Sequence, residues 1–120
     1  MYRLYSFTNY YLSSIQKGIQ TAHVIADMLV YHETLDLIDW VNFYKTIIVL
    51  NGGNSAALED IASMLIKPEN RFAWGIFRED FDSLAGATTA VGVLVPEPFV
   101  PTTDFETRLA ELIARCPLAV

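Results

Sequence analysis

The sequence has 120 residues, of which 52% are hydrophobic and 18% are charged, and its formal net charge is −6. These values predict one globular domain over residues 1–120 and exclude an intrinsically disordered chain. The acidic balance argues against extended contacts with a polyanion and against DNA as a partner, because like charges repel at long range. The eight basic residues are also scattered, so the sequence contains no basic run.

Neither a membrane segment nor a disulfide framework is expected. No apolar run approaches the roughly 20 residues that span a bilayer. Residues 1–12 contain one Arg and lack the long apolar stretch of a signal peptide. Cys116 is the single cysteine, which is typical of a reducing compartment. We therefore predict a cytoplasmic protein that has no membrane partner.

The first third of the chain predicts a strand followed by a long helix. Alternating bulky and polar side chains indicate a strand at Tyr2–Thr8. Ser13 with Gln16 three residues later is a capping box, so we expect a helix from Ser13 to Tyr31. Apolar residues recur in it at steps of four and three, which predicts a buried stripe. That stripe comprises Ile15, Ile19, Ala22, Ala26 and Leu29, and a polar stripe of the same spacing comprises Gln16, Gln20, His23 and Asp27.

The middle of the chain predicts a buried strand and a second helix. A short helical turn is expected around Leu35–Trp40. The β-branched run Thr46–Leu50 is typical of a strand that is buried on both faces. Asn54 is the expected N-cap of the following helix, and Pro68 ends that helix. The residues that this helix buries are predicted to be Leu58, Ile61, Ala62 and Leu65.

The last third predicts two strands and a final helix. The strands are expected at Arg71–Phe77 and Thr88–Val95, and the acidic segment Arg78–Ala87 joins them as a loop. Thr103 with Glu106 forms a second capping box, which opens the last helix.

The resulting order β-α-β-α-β-β-α predicts the fold class. Crossovers through helices make parallel strands, whereas the short link between the third and fourth strands favours an antiparallel pair. We therefore predict an α/β fold with three layers, in which helices cover both faces of a mixed four-stranded sheet. Ligands of such sheets bind beyond the carboxyl ends of parallel strands, near helix N-termini. We expect the candidate site at Ser13–Gln20, where the helix start and the rim of the last strand would share a pocket.

Three side chains of the first helix have both a functional and a structural interpretation. Lys17 near a positive helix start can bind a phosphate or stabilise an oxyanion, or it can be an exposed surface charge. Gln20 and His23 can orient a carbonyl group or a water molecule, and histidine titrates near neutral pH. The alternative is that both residues form an inert contact between helix and sheet. His23 and Asp27 have a metal-ligand spacing, but two ligands do not make a site, so we predict no metal and no cofactor.

Two other segments are ambiguous in the same way. Residues 51–54, with the sequence NGGN, precede a helix as phosphate-binding loops do. They lack the Lys and Thr of a P-loop, which favours a tight turn. The acidic segment contains Glu79, Asp80 and Asp82, which can pair with Lys17 or activate a water molecule. The alternative for these carboxylates is an ordinary solvated loop.

Two short motifs resemble the type 2 peptidyl-tRNA hydrolase family. Gln20-Thr21-Ala22-His23 is similar to the Q-x-A-H signature on the first helix of that family. The segment 88–96, a threonine-headed apolar strand that follows an acidic loop and ends in proline, resembles the family's closing strand. The order and the length of the elements agree over nearly the whole chain. The resemblance implies the same three-layer fold.

The sequence also departs from that family in two places. The family's helix starts with a K-G-K-like motif whose first lysine lies six residues before the glutamine, where this chain has Ser14 followed by Ile15. An aspartate-alanine-glycine-x-threonine run is matched only loosely within residues 78–86. Lys17 lies on about the same helix face as Ser14, and we predict that it supplies the missing charge.

The resemblance implies hydrolysis of the ester bond in peptidyl-tRNA or N-blocked aminoacyl-tRNA. In that mechanism water attacks the ester carbonyl, Gln20, Thr89 and Asp80 position the reactants, and Lys17 replaces the lost lysine. His23 is the further candidate catalytic residue. The alternative is a non-catalytic binding or oligomerisation module on the same fold. The high apolar content leaves surface for an interface, and we expect a homodimer.

Overall fold

The computed structural model describes residues 1–32, 34–79 and 86–119. Four strands form one sheet in the order β2-β1-β4-β3. These strands are β1 (Tyr2–Asn9), β2 (Ile47–Gly53), β3 (Trp74–Arg78) and β4 (Thr88–Pro96). The helices are α1 (Ser14–Tyr31), α2 (Leu35–Asp39), α3 (Ser55–Leu65) and α4 (Asp104–Arg115), and a π-helical turn (Trp40–Tyr44) follows α2. Within the described ranges, no helix has the length and apolar character needed to cross a membrane.

The sheet is mixed, as predicted. β1 pairs with β2 in parallel and with β4 antiparallel, and β3 pairs antiparallel with β4. β1, β2 and β3 therefore run in one direction. Their carboxyl ends lie at the same end of the sheet as the first residues of β4. The crossover through α1 joins neighbouring strands. The crossover through α3 passes from one edge of the sheet to the other, so it creates no hydrogen-bonded parallel pair.

Helices cover both faces of the sheet, which confirms the three-layer α/β fold. The core on the α1 face includes Leu4, Val24, Met28, Leu37, Trp40, Ala90 and Leu94. The core on the α3 and α4 face includes Phe7, Leu58, Ile61, Leu65, Val91, Val93, Phe105 and Leu109. Successive residues of a strand point to opposite faces, so the single strand β4 contributes apolar side chains to both cores.

Side chains at the helix starts explain where the helices begin. Ser13 Oγ accepts from the Gln16 N–H at 3.2 Å and the Ser13 N–H donates to Gln16 Oε1 at 3.1 Å, which confirms the first capping box. Asn54 caps α3 as predicted. The second box is only half formed: Thr103 Oγ1 accepts from the Glu106 N–H, but the Glu106 carboxylate accepts from Thr102 and from Arg71 instead.

The face that α1 turns towards the sheet is not the predicted one. The buried residues are Lys17, Gln20, Thr21, Val24 and Met28, whereas all five residues of the predicted apolar stripe are exposed. The reason lies in the sheet, where Gly75 and Gly92 carry no side chain under the helix. A Cβ atom at Gly92 would lie only 2.7 Å from Val24 Cγ1, and one at Gly75 would lie 2.7 Å from Met28 Cγ. The two glycines thus admit Val24 and Met28, and the apolar stripe stays outside.

The prediction that Thr46–Leu50 is buried on both faces is wrong. β2 is an edge strand in which Ile47 is 41% exposed, and the central strand that is buried along its length is β4. Residues 117–119 cover part of the outer edge of β2, since the Ala119 N–H donates to the Val49 carbonyl and the Asn51 N–H donates to the Pro117 carbonyl. β-Branched composition alone does not distinguish a central strand from an edge strand. β3 is also shorter at its start than the predicted Arg71–Phe77.

Candidate functional site

The N-terminal half of α1 contacts the carboxyl end of β3 through two side chains. Gln20 Nε2 donates to Glu79 Oε1 at 2.6 Å. The His23 ring stacks on the Phe77 ring, with 4.5 Å between centroids and 13° between planes. Phe77 and Glu79 are two residues apart, so strand alternation directs both towards the α1 face. The structure therefore brings the predicted residues Gln20 and His23 to one strand end.

Lys17 lies on the same buried face, one turn before Gln20. The two residues are only 6% and 9% exposed. Next to them, Thr21 Oγ1 donates to the Lys17 carbonyl and lies 2.8 Å from Ser6 Oγ on β1. This contact fixes the rotation of α1 about its axis. Lys17 is consequently not an exposed surface charge, but the side chains that were expected to line an open pocket are buried.

The amide of Gln20 is satisfied on one side only. Its nitrogen donates to Glu79, whereas Oε1 is buried and has no hydrogen-bond partner among the described residues. A buried acceptor without a partner costs about 1–3 kcal/mol. Such an atom is a position at which a donor from a ligand or an ordered water is stabilising.

Thr89 lies at an irregularity in the β3–β4 pairing. Phe77 pairs with Ala90 and Arg78 pairs with Thr88, so Thr89 is the extra residue of a β-bulge. Its hydroxyl is buried and lies at 3.4 Å from the Phe77 carbonyl, a long hydrogen bond. Phe77 thus contacts Thr89 through its backbone and His23 through its ring.

Thr88 belongs to a separate cluster on the opposite face of the sheet. Its hydroxyl donates to the Glu59 carboxylate, and its N–H donates to Ser55 Oγ at 3.0 Å. Arg78 holds the same carboxylate with two hydrogen bonds, at 2.7 and 2.9 Å. These donors, the guanidinium first and the hydroxyl second, lower the pKa of Glu59, and the carboxylate raises the pKa of Arg78. Arg78 and Glu79 therefore connect β3 to α3 and to α1, respectively.

The carboxylate that contacts Gln20 is Glu79, one of the three candidate carboxylates of the acidic segment. Asp80 and Asp82 lie outside the described residues, and the observed partner is Glu79. The signal that identifies Glu79 is strand alternation: if Phe77 faces α1, then the residue two positions later does so as well. The predicted strand ends at Phe77, which places Glu79 in the loop, whereas the observed β3 continues to Arg78.

A large cleft lies elsewhere, between α3 and α4. It has a volume of about 840 Å³, and its charged lining residues are Asp60, Arg108, Glu111 and Arg115. Residues 51–53 line it too. They are the last residues of β2 and pair with β1, so the strand continues where the sequence predicted a tight turn, and Gly53 at its end has a φ of 97°. Of the two buried polar atoms without a partner in the described residues, neither lies in this cleft, and one is Gln20 Oε1. We therefore place the candidate site at Gln20 and Glu79.

Within residues 1–32, 34–79 and 86–119, no three His, Cys, Asp or Glu side chains are grouped so as to hold a metal ion. No protein-family model matches the sequence, and no curated protein matches it either. The features of this chain that point to a function are therefore the geometry at Gln20 and Glu79 and the two short motifs.

Proposed function

We propose that this protein hydrolyses the ester bond that joins a peptide or an N-blocked aminoacyl group to tRNA. The observation that carries the proposal is the hydrogen bond from Gln20 to Glu79, with Lys17 buried one turn earlier. An amide held by a carboxylate has a fixed orientation, so its free Oε1 can accept a hydrogen bond from an attacking water molecule. The two motifs that resemble type 2 peptidyl-tRNA hydrolases include Gln20 and Thr89, and both lie at this end of the sheet.

The reaction is a hydrolysis that needs no cofactor. The water oxygen forms a bond to the ester carbonyl carbon, the bond from that carbon to the ribose oxygen breaks, and a water proton passes to the ribose oxygen. The products are the free carboxylic acid and tRNA with a free hydroxyl. Gln20 orients the water and Glu79 holds Gln20. The ammonium group of Lys17 stabilises the negative charge that develops on the carbonyl oxygen, an effect that is stronger in a dry site.

His23 and Thr89 have supporting roles in this proposal. The stack of His23 on Phe77 leaves the imidazole exposed one turn after Gln20, where it is available to relay the water proton to the leaving oxygen. Thr89 keeps the end of β3 in place through the Phe77 carbonyl. Asp80 follows Glu79 directly in the chain and remains a predicted second carboxylate.

The test is turnover of N-acetyl-aminoacyl-tRNA by the wild type and by two single variants. Gln20→Ala and Lys17→Ala should each lower kcat/KM by about 10²-fold or more, the usual effect of removing a positioning or charge-stabilising group. Lys67→Ala removes an exposed lysine elsewhere and is the matched control. Release of free tRNA is followed, and far-UV circular dichroism checks that each variant is folded. A wild type without turnover contradicts the proposal, and full activity in both variants contradicts the assigned site.

A second candidate function is a non-catalytic binding or oligomerisation module. The observation that favours it is the set of large apolar side chains left exposed on α1, among them Ile15 and Val30, at 78% and 71%. Absence of turnover together with stable self-association would support this function over hydrolysis.

A further inference from the structure

We infer that the outer face of α1 is the surface through which two copies of this chain associate. The feature concerned is an apolar seam that comprises Ile15, Ile19, Ala22, Ala26 and Leu29. All of these residues are exposed, and Ile15 and Ile19 are 78% and 49% exposed. The inference does not depend on the proposed hydrolase activity, because the two residues that carry that proposal, Lys17 and Gln20, lie on the opposite, buried face of the helix.

The spacing of the seam is that of a helix-pairing surface. Its steps of four, three, four and three residues are the a and d positions of a heptad repeat, a narrower stripe than a helix uses to cover a sheet. The helix has 18 residues and so is about 27 Å long, which gives the seam five successive contact positions. Small residues at Ala22 and Ala26 let a second helix approach closely in the middle, and the larger side chains lie towards the ends.

The exposed apolar residues are concentrated in one layer of the molecule. Nine large apolar residues are exposed on α1, α2 and the π-helical turn: Ile15, Ile19, Leu29, Val30, Tyr31, Leu35, Ile38, Phe43 and Tyr44. None is exposed within α3 or α4. The charges show the opposite distribution, with four charged residues in the first group of 28 and seven in the second group of 23. One helical layer is therefore suited to solvent and the other is suited to a partner.

The absence of charge in the seam favours a second copy as the occupant. The two charged residues of α1 are Lys17, which is buried, and Asp27, which is half-buried, so the seam itself carries no charge. A strongly basic or acidic partner segment would find no counter-charge there. A second α1 offers the same neutral heptad seam, and two identical seams form a closed two-fold interface.

The surface area that two seams would bury limits the strength of this association. Burying an aliphatic side chain removes roughly 60–120 Å² at about 25 cal/mol per Å². Two seams with their neighbour Val30 then remove on the order of 800–1,000 Å² in total, just below the roughly 1,200 Å² of the smallest stable interfaces. We therefore expect a monomer–dimer equilibrium that depends on concentration, with the seam as its centre.

The experiment is sedimentation velocity of the full chain from low-micromolar to submillimolar concentration. The wild type should shift from monomer to dimer over this range. Ile19→Lys and Ala26→Glu place a charge in the seam, and each should raise the dissociation constant about tenfold or more. The matched control is Ile66→Lys, at an apolar residue that is 69% exposed outside the α1 layer. Because Ile19 and Ala26 are exposed in the single chain, the melting temperature of the monomer should not fall in either variant.

Two results would overturn the inference. One is a wild type that stays monomeric at the highest concentration. The other is a dimer that forms in Ile19→Lys and Ala26→Glu as well as it does in the wild type, whatever the effect of Ile66→Lys. Turnover measured in Ile19→Lys separates this inference from the proposed function. Hydrolysis can be absent while the dimer forms, and hydrolysis can persist in a variant that no longer dimerises.

Discussion

Gln20 connects the two structural elements that form the candidate site. Its amide nitrogen reaches a carboxylate at the end of β3, and its buried oxygen has no partner in the described part of the chain. A hydrogen bond to a charged group contributes about 1.5–3 kcal/mol to stability. The contact between Gln20 and Glu79 is therefore expected to affect folding as well as any chemistry at this position.

A double-mutant cycle on this pair measures the contact. Glu79→Ala leaves the Gln20 amide without its acceptor, so we expect the free energy of unfolding to fall by about 1–3 kcal/mol. The double variant Gln20→Ala/Glu79→Ala should lose less than the sum of the two single variants, because each removes the same hydrogen bond. Urea denaturation provides the measurement, and Glu69→Ala serves as an exposed control. Strictly additive losses would mean that the two side chains do not interact.

Glu106 gives a pH-dependent contribution to stability. The hydrogen bond from Arg71 at 3.1 Å, helped by Thr102, lowers the pKa of this buried carboxyl below its usual 4.5. Its stabilising effect is thus complete above that value. As the pH falls below about 4.5, the unfolded chain takes up the proton first, so stability decreases until the folded carboxyl is also protonated.

Glu106→Gln should remove part of this acid sensitivity. We expect the variant to be less stable than the wild type at neutral pH by about 1–2 kcal/mol, because the ion pair is lost. The loss is no larger because Arg71 is largely exposed and solvent screens its charge. The difference between variant and wild type should shrink as the pH is lowered towards 3. Denaturation midpoints measured between neutral pH and pH 3 test this, with Glu111→Gln on the same helix as the control. A difference that is constant with pH would assign the loss to packing.

At the scale of elements, the position of α1 on the sheet depends on two glycines. Gly75 and Gly92 are neighbours across the β3–β4 pair, and both leave room under the helix. Val24 and Met28 fill that room. This contact turns Lys17 and Gln20 towards the sheet and leaves Ile15 and its heptad partners outside.

Adding a methyl group at either glycine should disturb this packing to different extents. Gly92→Ala places Cβ against the stiff, branched Val24, and we expect a loss of about 1–3 kcal/mol. Gly75→Ala meets the flexible Met28 and should cost less. Gly18→Ala is the matched control: no atom lies within 4 Å of the new Cβ, and the helix should gain about 0.5–1 kcal/mol. Equal losses at Gly75 and Gly92 would contradict this account of the packing.

Helix α1 shows which features of the fold the sequence predicts and which it does not. Local patterns located the helix starts at Ser13 and Asn54 and the buried face of α3, because caps and a single apolar stripe are local properties. They did not identify the buried face of α1, which is determined by glycines on strands that come more than 40 residues later. Apolar runs also failed to separate the edge strand β2 from the central strand β4. The partner of Gln20 was missed for a related reason, since it depends on where β3 ends.

At the scale of the whole molecule, the two helical layers differ in character. The α3 and α4 layer is charged and borders the large cleft, whereas the α1 layer presents an uncharged apolar seam. The chain as a whole carries a net charge of −6, so two copies repel each other at long range. Among the described residues, Arg3, Arg71 and Arg78 are each paired with a carboxylate, and the other five basic residues are scattered along the chain.

Salt should therefore act in opposite directions on the two proposed associations. Raising the ionic strength from about 0.1 M to about 1 M shortens the Debye length from roughly 10 to 3 Å. Repulsion between two acidic copies is then screened while the apolar seam is unaffected, so we expect the dimer to become several-fold tighter. Binding of tRNA should weaken instead, because each phosphate contact releases counterions and gives the affinity a negative log–log dependence on salt. Sedimentation and filter binding over the same salt series measure both. A dimer that weakens with salt would indicate that ion pairs hold the interface, which the uncharged seam of α1 does not allow.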